Sequence, residues 1–250
     1  MLRLTVASAA ALSLAACVTP YAPIPYDRAS AGIQTIVVVE DSLPADAGTQ
    51  KLATNGQNMA SAMAASAGLA GVLVGAIAAG VDANIEAGQR TRIQAALATQ
   101  GFDGEAIFDA ALESALAANG YELGKVTVER KNYHEPLELE VRNDLQPGSA
   151  ILDVAGAGYG YQLVGGNTQW RPFVTVGVRL SDPADPSKIH LDNRVVYNPV
   201  ATPDVIVNLP PDPQYAFTKI EDIEADPAKA KEGLEKALVE TANAVADLLN

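Results

Sequence analysis

The sequence has little positive charge: 17 Lys and Arg stand against 30 Asp and Glu in 250 residues, which gives a net charge of −13. Nucleic-acid binding requires a basic face that neutralises phosphates. The few cations here are scattered along the chain instead of clustered. The composition therefore predicts no nucleic-acid partner.

Histidine and cysteine are equally scarce. The two histidines, His134 and His190, have no second histidine at ligand spacing, so the sequence predicts no metal site. Cys17 is the single cysteine, and it has no partner in the chain with which to form a disulfide.

Motifs for cofactor binding and catalysis are also missing. Residues 156–161 are rich in glycine, but Tyr161 and Leu163 stand where a dinucleotide fingerprint needs its last glycine. Residues 120–125 are one residue short of a phosphate-binding loop. There is no Gly-x-Ser-x-Gly elbow, and paired carboxylates are expected on solvated faces. We therefore expect no cofactor and no enzymatic activity.

The start of the chain has the pattern of a secretory signal peptide. A short basic start is followed by an apolar stretch over residues 4–14 that is too short to remain as a membrane-spanning helix. Leu14-Ala15-Ala16-Cys17 resembles the lipobox of bacterial lipoproteins. That resemblance implies a signal peptide over residues 1–16, cleavage after Ala16 and lipidation of Cys17. Val18 follows the cysteine, where an inner-membrane lipoprotein tends to have Asp, so the resemblance implies an outer-membrane protein, facing the periplasm.

Residues 17–32 are predicted to form an extended, lipidated tether, since three prolines fall between Val18 and Gly32. The β-branched run at residues 33–39 lacks strict alternation and predicts a central strand covered on both faces. With 48% apolar and 19% charged residues, residues 33–250 are long enough to form one domain with its own core.

A stretch rich in Ala and Gly follows. Residues 52–81 carry no charge, and Gly68, Gly71 and Gly75 share one stripe at helical spacing. We predict an apolar helical insert over residues 52–100, with these glycines packing against another helix. Its first part has three interpretations: a buried helix within the fold or an oligomer, a membrane-seeking element, or a mobile loop.

The remaining patterns predict an α+β domain. Residues 103–119 read as a helix capped by Asp103, and residues 126–130, 137–141 and 150–162 read as strands. Alternation across residues 173–180 and 189–197 predicts a hairpin with one buried and one partly wet face. A proline-rich connection over residues 198–225 precedes an amphipathic C-terminal helix over residues 226–250, capped at Asp226-Pro227. The expected fold is a mixed or antiparallel sheet of about five strands with helices mainly on one side.

Aromatic residues are only 5% of the chain, yet four lie within fifteen residues: Tyr159, Tyr161, Trp170 and Phe173. Two interpretations are open. Tyr159, Tyr161 and Trp170 either form a partner-binding edge or groove, or belong to the aromatic part of the core.

The order of elements resembles a group of uncharacterised proteobacterial lipoproteins. More distantly, it is similar to the periplasmic domain of curli-secretion and penicillin-binding-protein-activator lipoproteins. Our first hypothesis is a non-enzymatic, lipid-anchored envelope protein that acts through contacts with other proteins, for which self-assembly through the glycine stripe is one route. The alternative is a membrane-inserting component of a secretion or transport assembly.

Overall fold

The fold is taken from a computed structural model, which describes residues 21–52, 83–164, 169–198 and 206–250. The signal peptide, Cys17 and the glycines Gly68, Gly71 and Gly75 lie outside the described residues, as does most of the Ala/Gly-rich stretch. Their predicted roles therefore stay predictions. No helix in the described ranges combines the length and apolar composition needed to cross a membrane.

Strands and helices both contribute to the fold, which confirms the α+β class. The described ranges contain a mixed sheet of seven strands, where about five were expected. The strands are β1 (Thr35–Val39), β2 (Gly48–Leu52), β3 (Glu122–Val126), β4 (Ser149–Val164), β5 (Trp170–Ser181), β6 (Ile189–Tyr197) and β7 (Val207–Leu209). Their order is β3-β1-β4-β5-β6-β7, and β2 also pairs with β4.

The long strand β4 organises the sheet. Its first residues pair in parallel with β1 and its last residues with β2, while its other edge pairs antiparallel with β5. Where β2 joins, Gly160 has a φ of +146°, and a Cβ atom there would overlap the backbone of Gly48. Only glycine fits this position without strain.

The helices of the described ranges pack on one face of this sheet, as expected. They are α1 (Arg28–Ala31), α2 (Ala83–Ala98), α3 (Gly104–Ala118), α4 (Ile220–Ala225) and α5 (Pro227–Asp247). Asp103 caps α3 and Asp226 caps α5, each accepting a backbone N–H three residues on. Leucines of α3 and α5, with Ile93 and Leu97 of α2, meet the inward side chains of β4, β5 and β6 in one core.

The second face of the sheet is covered near β1 by residues 127–147, which follow β3. The strands expected at residues 126–130 and 137–141 are not there: β3 ends at Val126, and Leu137–Val141 is not a strand. Leu137 and Leu139 instead pack flat on Val37, Val39 and Ile151. Their alternation reflects packing across the sheet, not pairing along its edge.

A buried ion pair ties this covering segment to the sheet. Arg130 donates to Asp153 on β4, and both side chains are almost completely inaccessible to solvent. Asp153 also accepts the backbone N–H of Leu137 at 2.6 Å. Because the carboxylate accepts hydrogen bonds from both donors, the cost of burying its charge is offset.

The predicted hairpin is present as β5 and β6, but the expected wet face on β5 is wrong. Phe173 and Thr175 are as buried as Val174 and Val176 on the opposite side. β5 lies between β4 and β6, and a central strand covered on both faces does not show one solvated side.

The proline-rich connection is more structured than expected. Within residues 206–225 it contains β7, a short 3₁₀ helix (Pro213–Tyr215) and α4. Arg92 on α2 binds Glu221 and Glu224 of α4 at 2.7 and 2.5 Å, which joins the two helices at the surface.

Residues 21–32, the described part of the predicted lipidated tether, form an N-terminal segment that packs against the domain. Ile24 forms an isolated antiparallel bridge with Asp192 of β6, with N···O distances of 2.8 and 3.0 Å. Asp27 caps α1. Arg28 lies over the ring of Tyr121, 4.5 Å from its centroid. Prolines favoured an extended backbone here, but an extended backbone also fits the free edge of a strand.

Candidate functional site

A groove of about 450 Å³ lies on the second face of the sheet, between the N-terminal segment and residues 134–138. Three parts of the chain that are distant in sequence form its walls and floor. Its lining residues are Tyr21, Ala22, Ile24, His134, Glu135, Pro136, Glu138, Gly177, Val178, Arg179, Asp192, Asn193 and Arg194.

The register of the β5–β6 hairpin positions the polar floor of this groove. Gly177 stands opposite Arg194, and Arg179 stands opposite Asp192. Side chains two residues apart on a strand share a face. The charged residues therefore come to one side of the sheet, and the glycine leaves space between them.

Asp192 is the centre of the polar contacts. One carboxylate oxygen accepts the hydroxyl of Tyr21 at 3.0 Å. The other accepts Nε and Nη2 of Arg179 at 3.0 and 2.7 Å. The backbone of Asp192 meanwhile pairs with Ile24. This residue thus joins the N-terminal segment to the hairpin through both its main chain and its side chain.

Arg194 is a buried cation in the same floor. Its residue is 4% exposed, and its guanidinium carbon lies 3.7 Å from the centroid of the Tyr21 ring, a close cation–π contact. Its Nη1 atom is buried and has no hydrogen-bond partner in the part of the chain that the structure describes. Burial lowers the pKa of Arg194, because a desolvated cation is disfavoured.

Tyr21 stays protonated at neutral pH. Burial, followed by the nearby Asp192 carboxylate, raises the pKa of its hydroxyl well above the ordinary value. The hydroxyl therefore acts as a hydrogen-bond donor and the ring as a wall. With Arg194 beneath the ring and Arg179 bonded to Asp192 beside it, this floor is suited to holding a negatively charged or strongly accepting group.

The rim of the groove carries the exposed residues His134, Glu135 and Glu138. The second histidine, His190, lies outside the groove, with Nε2 4.0 Å from Asp182. Burial and Lys188 lower the pKa of His190. In the described ranges, no three His, Cys, Asp or Glu side chains are grouped so as to hold a metal ion.

The aromatic residues considered for partner binding lie in the core instead. Tyr159, Tyr161 and Trp170 are 1%, 0% and 3% exposed. The Tyr161 hydroxyl donates to the carbonyl of Ala230 on α5 at 2.9 Å, and its ring meets Phe217 edge-on. These side chains join the sheet to the helices because they face the helical layer, so the core interpretation describes them and a partner-binding edge does not.

The residues of the groove were missed by sequence reasoning. Arg179, Asp192 and Arg194 occupy alternate positions of the predicted hairpin, on the side expected to be wet. That pattern indicated a shared face for these charges. It gave no sign that Tyr21, more than 150 positions away, would close over them.

Comparison of the chain with protein-family models, with characterised proteins and with solved structures finds no match in any of the three.

Proposed function

We propose that this chain is a non-enzymatic, lipid-anchored envelope protein, and that its α+β domain binds an envelope protein through the groove beneath Tyr21. The observation that carries the proposal is the position of the groove. One wall is the N-terminal segment, and it includes Tyr21, which is four residues after Cys17 in the sequence.

Chain geometry places this wall close to the predicted anchor. Four residue steps separate Cys17 from Tyr21, and an extended chain spans at most about 3.5 Å per residue. Tyr21 therefore lies within about 14 Å of the Cys17 backbone, whatever the conformation of the residues between. With Cys17 acylated, stable membrane attachment would hold the groove near the lipid surface, where a partner in the same envelope layer meets it.

Lipidation is tested with the Cys17→Ser variant. We expect the unaltered protein to incorporate labelled palmitate and to fractionate with the outer membrane, and the variant to do neither. Equal fractionation of the two proteins would contradict the anchor, and recovery of the unaltered protein in the inner membrane would contradict the predicted location.

Partner binding is tested by photo-crosslinking in intact cells. A photoreactive residue replaces Glu138, which is exposed on the rim of the groove, or Val239, which is 38% exposed on α5 and serves as the control. We expect a discrete crosslinked product from position 138 and none from position 239. A product with twice the mass of the chain would identify a second copy as the partner and support the predicted self-assembly. Equal labelling at both positions, or none at either, would contradict binding through the groove.

A further inference from the structure

We infer that the groove binds an oxyanion, a carboxylate or phosphate group of its ligand, at the guanidinium of Arg194. This inference rests on the proposed function, since it gives the chemistry of the same groove. The unpaired Nη1 atom of Arg194, in a floor where the neighbouring carboxylate is already occupied, carries the argument.

Among the described residues, no hydrogen bond or salt bridge joins the Arg194 guanidinium to a carboxylate, although Asp192 is close enough to act on its charge. Asp192 accepts one bond from Tyr21 and two from Arg179. The contact of Arg194 is instead the face of the Tyr21 ring. Two cations thus share one carboxylate, and that carboxylate is directed to the other arginine.

A buried guanidinium with an unsatisfied N–H is costly unless an acceptor reaches it. The energy of such a site is recovered when an anion supplies the acceptor, and a guanidinium is well shaped for carboxylate and phosphate oxygens. The Tyr21 ring, 3.7 Å from the guanidinium carbon, restricts the Arg194 side chain in advance. Less side-chain entropy is then lost when an oxyanion binds, because the arginine is already ordered.

The groove also has room for a ligand larger than the oxyanion. Gly177 lies across the strand pair from Arg194 and contributes no side chain to the floor. The volume of about 450 Å³ lies in the range of small-molecule sites. Ile24 and Pro136 line the groove as well, so the expected ligand carries an oxyanion next to an apolar portion.

The test uses the full chain, purified in detergent, and measures its thermal unfolding midpoint. Potassium phosphate and potassium acetate are titrated against potassium chloride at matched ionic strength. We expect the midpoint to rise with the logarithm of the anion concentration, by about 5–10 °C at 100 times the dissociation constant. The salt that gives the same rise at the lower concentration identifies the preferred oxyanion. A midpoint that depends on ionic strength alone would overturn the inference.

Two variants locate the effect. Arg194→Gln removes the charge in the floor, and Arg90→Gln removes an exposed charge on α2 as a matched control. We expect the anion-dependent rise to disappear in the first and persist in the second. A rise of equal size in both would overturn the assignment to Arg194.

Nuclear magnetic resonance of the unaltered protein keeps the test decisive should Arg194→Gln fail to fold. Phosphate or acetate is expected to shift the backbone amide signals of Gly177 and Arg194 saturably and to leave that of Gly101, in an exposed turn, unchanged. No selective shift would overturn the inference. The Cys17→Ser variant loses the predicted lipid anchor but keeps every residue of the groove. An anion effect in this variant would show that the binding site works even if the anchor prediction fails.

Discussion

Asp109 offers a direct test of the packing between α3 and the sheet. It lies on α3 between Glu105 and Glu113, one helical turn away on either side. Glu105 accepts two backbone N–H groups that follow β1, each at 2.6 Å. Glu113 binds Lys125 of β3 at 2.5 Å. Oδ1 of Asp109 is buried and has no hydrogen-bond partner among the described residues. The ionised form of this carboxylate is therefore desolvated without compensation.

Burial raises the pKa of Asp109 from 3.8 to about 7, with repulsion from Glu105 and Glu113 adding to the effect and Lys125 opposing it. The folded protein therefore binds this proton more tightly than the unfolded chain does. Its contribution to stability is fully present below pH 4 and is lost as the pH rises to about 7. A shift of about three pKa units corresponds to about 4 kcal/mol. Because Asp109 is partly exposed, we expect about 2 kcal/mol after solvent screening.

The Asp109→Asn substitution keeps the side-chain shape and removes the ionisation. We expect the variant to be more stable than the unaltered protein by about 2 kcal/mol at pH 8 and to match it near pH 4. Urea unfolding, followed by the fluorescence of the buried Trp170, measures the difference at each pH. Asp247→Asn, at an exposed position near the end of α5, controls for the loss of one charge. A variant that is equally or less stable at pH 8, or a difference that does not change with pH, would refute the reasoning.

Three further predictions test the sheet and its coverings, each by urea unfolding. Gly160→Ala should destabilise the protein by about 3 kcal/mol or more, since its φ and the neighbouring β2 backbone exclude a Cβ atom, whereas Gly158→Ala, where a Cβ atom would meet the Phe173 ring at an ordinary contact distance of 3.8 Å, should cost about 1 kcal/mol or less. Arg130→Met should cost about 3–5 kcal/mol by leaving Asp153 buried and unpaired, and adding Asp153→Leu should restore most of that loss; a double variant no more stable than the single one would contradict the pairing. Tyr161→Phe should cost about 1–2 kcal/mol because a buried carbonyl on α5 loses its donor, and a change near zero would mean that this hydroxyl is not needed.

Local patterns predicted much of the fold because the forces behind them act over a few residues. The β-branched run at residues 33–39 formed β1 between two other strands, as a two-sided apolar strand must. Asp103 and Asp226 both cap their helices as the cap chemistry requires.

The failures came where a pattern permits two kinds of contact. The alternating leucines Leu137 and Leu139 bury their side chains against Val37 and Ile151. This packing needs no strand partner. The proline-containing residues 21–32 adopt the expected extended form at Ile24, but periodicity carries no information on whether a distant strand edge receives them. Long-range pairing of this kind is outside the reach of local sequence patterns.

The candidate site depended on such long-range contacts, and so it was not predictable. The hairpin alone brings Arg179, Asp192 and Arg194 to one face, which would give an ordinary solvated charge cluster. Tyr21 turns that cluster into a buried floor by covering Arg194 and bonding to Asp192.

The two ends of the strand order favour the proposed recognition through this groove over recognition by strand addition. At one end of the strand order, β7 is only three residues long, and β6 beside it is paired with Ile24 near its middle, so little strand edge is open to an incoming strand. At the opposite end of the strand order, β3 is only five residues long and carries Lys125, held in an ion pair with Glu113. Short and charged edges disfavour strand addition. The groove instead offers a volume of about 450 Å³, a cation that forms no salt bridge with the described residues and a wall that includes Tyr21, four residues from Cys17. Under the proposed function, a partner there would be selected by its side chains or its charged group, and not by its backbone alone.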